Sequence, residues 1–143
     1  MPKDIKISQV KSDEQTSGLQ FFENRVQAGF PSPAQNEYPD SIDLNRELIT
    51  NPAATFCARV IGNSMVDAGI NEGDLLIIDR SLTPHDGSVA VCFLDGDFTV
   101  KRLSVREDGV YMTPANADFP EMKVPEDSNF QIWGVVSHIV KRL

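Results

Sequence analysis

The sequence predicts a mostly β, single-domain protein that carries an N-terminal arm. Three observations lead there. From Thr55 onward, runs rich in β-branched and aromatic residues alternate with turn signals such as "NEGD", "PHDG" and "EDG". Asp95-Gly96 joins "VAVCFL" to "DFTVKRL", and that dipeptide suits a two-residue type I′ hairpin turn. The first fifty residues, by contrast, are weakly patterned. A length of 143 residues allows one modest core plus a tail.

Taken in chain order, "SGLQFFENRVQAG" holds a short apolar cluster (Leu19, Phe21, Phe22, Val26), too small for a core. "GFPSPAQNEYPDS" comes next with three prolines and a glycine, which exclude a long helix and predict an extended linker. Residues 1–41 are therefore read as arm and linker, and residues 42–143 as the domain. The domain begins with "SIDLNRELITNP", whose Leu44 and Leu48 share a helical face and whose Pro52 ends the helix. Strands are predicted in "TFCARVIG", "DLLIIDR", "SVAVCFLDGDFTVKRLSV", "GVYMTP" and "FQIWGVVSHIVKRL". There is no internal repeat.

Charge narrows the function. The net charge is −8, yet residues 1–28 balance four basic against four acidic side chains, so the whole excess lies in residues 29–143. Such a surface repels phosphate backbones and argues against direct DNA binding, leaving proteins as the expected partners. No apolar run approaches the roughly 20 residues of a membrane helix. The polar start, "MPKDIKISQVKSDEQ", is unlike a signal peptide, so a cytoplasmic location is expected. Cys57 and Cys92 lie in apolar strand-like runs and read as buried, reduced thiols. Neither belongs to a ligand cluster, and no metal or other cofactor is expected.

Ser64, in "ARVIGNSMVDAGI", has two readings. Gly62 permits a sharp reversal after a strand, and Ser64 is then placed to cap a short helix with its hydroxyl. The same geometry exposes a serine beside free backbone N–H groups, which suits a nucleophile. A nucleophilic serine needs a base. His85 and His138 are candidates without a supporting motif. Lys101 is another: alternation along "DFTVKRL" puts Thr99, Lys101 and Leu103 on one face and Phe98, Val100 and Arg102 on the other. An amine held against apolar surface gives up its charge more readily, and only a neutral amine accepts a proton. A lone strand lysine is usually a solvated edge charge.

Together, "GNSMVDAGINEGDLLIIDR" and the lysine of "DGDFTVKRL" resemble the LexA/UmuD family of self-cleaving Ser-Lys peptidases, and "WGVVSHIVK" resembles that family's last strand. The likeness spans essentially the whole chain and is strongest for the UmuD-type branch. It implies strongly bent antiparallel sheets with short helices behind a flexible arm. It also implies that Ser64 is the nucleophile, that Lys101 is the general base, and that the amides of Asn63 and Ser64 form the oxyanion hole. Family members cut their own chain at an Ala-Gly or Cys-Gly bond, which points to Ala28–Gly29 in "NRVQAGF". Gly29 lets backbone approach a crowded cleft, Ala28 suits a shallow pocket, and Val26 falls on the same side of an extended substrate as Ala28.

The resemblance further implies a homodimer in the SOS response to DNA damage. It would cleave itself when docked on a RecA filament assembled on single-stranded DNA, then join a Y-family polymerase for translesion synthesis. The 28 residues before the cleavage site are too few for the DNA-binding domain of a LexA-type repressor. Alanine before the scissile bond, where UmuD itself has cysteine, is the LexA pattern. Two rivals are weighed. A signal-peptidase-like protease would need a membrane anchor or an apolar lipid-facing surface. A non-cleaving, vestigial binding module would have no need of Ser64, Lys101 and Ala28–Gly29 together.

Overall fold

The computed structural model describes residues 5–9, 19–21 and 40–143. Their elements are strands β1 (Ile5–Gln9), β2 (Leu19–Phe21) and β3 (Asp40–Ile42), helix α1 (Leu44–Leu48), and strands β4 (Thr55–Val60), β5 (Leu75–Asp79), β6 (Val89–Leu94), β7 (Asp97–Arg106), β8 (Gly109–Thr113), β9 (Met122–Lys123) and β10 (Phe130–Val140). The chain divides into two compact units, Met1–Lys11 with Asn51–Leu143, and Ser12–Thr50.

In the smaller unit, β2 and β3 pair antiparallel, Leu19 opposite Ile42. Asp43 caps α1 by accepting a hydrogen bond from the Asn45 N–H (3.0 Å). The helix ends at Leu48, one turn earlier than Pro52 requires, and none of its residues is buried.

The larger unit is one antiparallel sheet in the order β1-β4-β5-β10-β6-β7-β8-β9. The β6–β7 hairpin closes as expected: Asp95 and Gly96 take φ of 49° and 92°, and Leu94 pairs with Asp97. A type I′ turn needs positive φ at both central positions. β10 is the pivot. Its first half pairs with β6 and its second half with β5, and register shifts fall between Ile132 and Gly134 and between Val136 and His138. Such bulges bend a strand and increase its twist, so the sheet curls around its contents.

The curl encloses two apolar clusters. One gathers Ile5, Ala58, Val60, Met65, Ile70, Leu76, Ile78, Val91 and Val100. The other gathers Ala90, Cys92, Leu94, Leu103 and Met112. Trp133 of β10 meets Phe56 and Phe98 edge-on, at centroid distances of 4.9 and 5.7 Å. Arg80 covers its face at 4.4 Å.

Two features depart from the sequence reading. Ile5–Gln9, within the stretch read as an arm, forms the edge strand β1 and pairs with β4 from Ile5–Val60 to Gln9–Phe56. Its Ile5 is only 3% exposed. Cys92 is buried as expected, and burial pushes its thiol up to about 12 despite the nearby Lys101 charge. Cys57 is only half-buried.

Asp74, 5% exposed, is the charged group most worth testing in the sheet. Burial alone would raise its carboxyl, but the Lys141 ammonium and the Asn71 N–H outweigh burial and hold it below 3.8. A lowered carboxyl contributes stability above its unfolded pKa and loses it as pH falls through the folded one. Lys141→Met is therefore expected to destabilise at pH 7 by about 1–2 kcal/mol, a figure moderated by the lysine's partial exposure. The deficit should shrink as pH drops below 3.8, which urea unfolding across pH 3–7 would measure.

Candidate active site

β4 carries the chain into the serine turn. Its last residue is fastened on both sides: the Val60 N–H donates to Asp74 O, and Val60 O accepts from the Gly73 N–H, both at 2.9 Å. Gly62 then takes φ of 91°, a left-handed conformation that a side chain resists, and the chain reverses into Ser64. The loop after β8 clamps the turn from outside. The Ala115 N–H donates to Ser64 O (2.9 Å), and Ala115 O accepts from the Asp67 N–H (2.7 Å). Met65 and Ile70, at 3% and 1% exposure, anchor the next stretch of chain in the core.

The helix-cap reading of Ser64 does not describe this turn. The short helix is a 3₁₀ turn over Val66–Ala68 with Met65 at its cap position, and no side chain caps it. The Ser64 hydroxyl faces Lys101 instead. Lys101 Nζ lies 3.0 Å from Ser64 Oγ, 2.6 Å from Thr99 Oγ1 and 3.1 Å from Val100 O. Ser64 is 7% exposed and Lys101 half-buried.

The oxygens around the amine can be matched to its protonation states. An ammonium has three N–H groups to donate and nothing to accept with. A neutral amine has two N–H groups and a lone pair. In that neutral state Val100 O and Thr99 Oγ1 can take the two donors while the lone pair accepts from the Ser64 O–H. This geometry supports proton transfer from Ser64 to Lys101 without moving any heavy atom. β7 supplies it because Thr99 and Lys101, two apart, point to one face of the strand. The same face continues into Leu103, 2% exposed. Across the hairpin, Lys101 pairs with the fully buried Ala90.

Among the described residues, no acceptor meets the N–H groups of Asn63 and Ser64. These amides are the ones the resemblance nominates for an oxyanion. The histidines point elsewhere. His85 is exposed and its Nδ1 donates to Asp86 O (2.9 Å), and His138 Nδ1 meets Ser137 Oγ (3.0 Å). Ala28 and Gly29 lie outside the described residues. No group of three or more metal-ligating side chains occurs among the described residues, and no helix there is long and apolar enough to cross a membrane.

Two contacts go beyond the sequence reading. Thr99 enters that reading only as one residue of the Lys101 face, although its spacing from Lys101 carries the signal for an amine partner. Asn116, in "TPANADF", donates from Nδ2 to Asn63 O at 2.8 Å. Nothing in the local sequence announces that contact, which spans 53 positions.

Comparison with known proteins shows the family to which this chain is similar. The peptidase S24-like family model matches residues 20–137. The chain is 39% identical to the protein MucA of Salmonella typhimurium over 135 residues, 94% of this chain and 92% of that protein. It is 44% identical to the protein ImpA of the same organism over 122 residues, 85% of this chain and 83% of that protein. The LexA repressor of Stenotrophomonas maltophilia shares 33% identity over 117 residues, 82% of this chain but 55% of the repressor.

Proposed function

Since this chain belongs to the peptidase S24-like family, in its UmuD-type branch, we propose that it is an SOS-response serine peptidase that cuts itself between Ala28 and Gly29 with a Ser64–Lys101 dyad. The observation that carries the reading is the 3.0 Å approach of Lys101 Nζ to Ser64 Oγ in a fastened turn.

In the proposed reaction, Ser64 Oγ attacks the Ala28 carbonyl carbon while its proton passes to Lys101 Nζ. The tetrahedral oxyanion is received by the N–H groups of Asn63 and Ser64. On collapse the C–N bond breaks, and Lys101 returns the proton to the departing Gly29 amine. Water, deprotonated by the now neutral Lys101, hydrolyses the ester, releases the Ala28 carboxylate and restores the Ser64 hydroxyl. Apart from water, the dyad and the two amides supply every group these steps use. Docking on a RecA filament on single-stranded DNA would accelerate the reaction in the cytoplasm by favouring the docked arm. The shortened homodimer would then act as accessory subunit to a Y-family polymerase in translesion synthesis. Reading the partners as proteins rests on the negative charge of residues 29–143.

The test is incubation of purified protein at alkaline pH with fragments identified by mass. A fragment beginning at Gly29 is expected from wild type, and Ser64→Ala is expected to fold normally and remain whole, with or without RecA. Gly29→Glu should also block scission, because a bulky charged residue cannot enter the crowded cleft. The same fragment from Ser64→Ala would remove Ser64 from its role, and scission in Gly29→Glu would mean that the bond lies elsewhere.

A further inference from the structure

Asn116 ties the loop after β8 to the serine turn with both ends of its side-chain amide. Nδ2 donates to Asn63 O at 2.8 Å, and Oδ1 accepts from the Asp118 N–H at 2.9 Å. The loop is itself held in place. At one end, Ala115 exchanges backbone hydrogen bonds with Ser64 and Asp67. At the other, Glu121 forms a two-pronged pair with Arg106, both contacts 2.7 Å.

The consequence comes from peptide geometry. Asn63 C=O and Ser64 N–H belong to one planar unit and point in opposite directions. Anchoring the oxygen therefore aims the N–H. Resting on the peptidase reading, in which that N–H receives the oxyanion, we infer that Asn116 is a positioning residue that sets the direction of the Ser64 oxyanion donor. Its hydrogen bonds go to Asn63 and Asp118, not to Ser64 Oγ or Lys101, so it leaves the proton acceptor untouched. Without Asn116 the Asn63 oxygen keeps only the longer contact from the Val66 N–H (3.4 Å), so the 63–64 peptide can tip, and a misplacement of about 1 Å in a catalytic group can slow a reaction roughly 100-fold.

Two substitutions in the full-length chain separate positioning from scaffolding. Asn116→Ala removes both hydrogen bonds. Asn116→Asp keeps an oxygen for the Asp118 N–H, and with it the loop turn, but offers no N–H to Asn63 O. Alkaline self-cleavage is expected to slow about 100-fold in both. The pH–rate profile of Asn116→Ala should keep the wild-type shape, because the base is unchanged. Were Asn116 only a loop brace, Asn116→Asp would cut at the wild-type rate, and that result overturns the inference while leaving the peptidase reading intact. Wild-type rates in both variants overturn it equally. A wild-type chain that does not cut at all overturns the peptidase reading, and this inference with it.

Discussion

Lys101→Ala is expected to abolish self-cleavage at every pH, with or without RecA. The Ser64 hydroxyl is a poor nucleophile until its proton has somewhere to go, and the nearest acceptor is the amine at 3.0 Å. Only a neutral amine can accept that proton, so wild-type cleavage should speed up as pH rises. RecA should raise the neutral rate by increasing the docked fraction, without adding a catalytic side chain. Removing the amine removes both reactions together, a loss of about 10²–10⁴-fold, the range that positioned bases contribute. His85→Ala and His138→Ala should keep the wild-type profile, since neither ring approaches Ser64 or Lys101 among the described hydrogen bonds. A pH–rate series on wild type and the three variants, read by mass, decides it. Surviving alkaline cleavage in Lys101→Ala, or its loss in a histidine variant, would dismantle the Ser-Lys assignment.

Gly134→Val is expected to produce the largest loss of stability. Gly134 sits where β10 shifts register, and a Cβ there would meet Ile78 Cγ2 at 2.6 Å and Arg80 Cγ at 3.3 Å. Arg80 can swing away. Ile78 cannot, being wholly buried among Leu76, Val91 and Val100. Forcing extra atoms into a filled core costs about 3 kcal/mol, against a total stability of about 5–15 kcal/mol. For a chain of this size the melting temperature should fall by about 10 °C. Gly96→Val, whose position is open but held at φ of 92°, offers a comparison in which backbone strain acts without a clash. Thermal unfolding that leaves Gly134→Val within about 2 °C of wild type, a margin set by the usual scale of about 2–4 °C per kcal/mol, would contradict the packing argument.

How much of this was legible in the sequence depends on the range of the interaction. The β6–β7 hairpin was readable because Asp95 and Gly96 satisfy a local backbone demand. The facing of Thr99, Lys101 and Leu103 was readable because strand alternation is local too. Ser64 and Lys101 were identifiable as residue types in suggestive settings, but their contact bridges 37 positions and depends on how the sheet curls. That curl comes from β10, whose bulges around Gly134 respond to the crowding of Ile78 from another strand. The two-residue β9 is too short to leave a pattern, and it exists because β8 offers it an edge. β1 escaped for the same reason. Ile5 and Ile7 are too few to announce a strand, and only Val60 and Ala58 opposite them make one.

β1 is joined to β4 through the 45 residues between Gln9 and Thr55. While the chain is whole, that connection keeps the strand at an effective concentration of order millimolar beside its seat. A cut at Ala28–Gly29 breaks no hydrogen bond between β1 and β4 and moves no core atom, yet it turns the strand into a separate peptide competing at its bulk concentration. Diluted below its dissociation constant, such a peptide would leave its seat. Val60 N–H is committed to Asp74 O, so by alternation the amides of Arg59 and Cys57 face the vacated edge, beside the hollow that Ile5 filled. An open edge of this kind is a template for another extended chain. Scission would thus act at a distance through dilution, exposing for another chain the edge of β4 that β1 had covered.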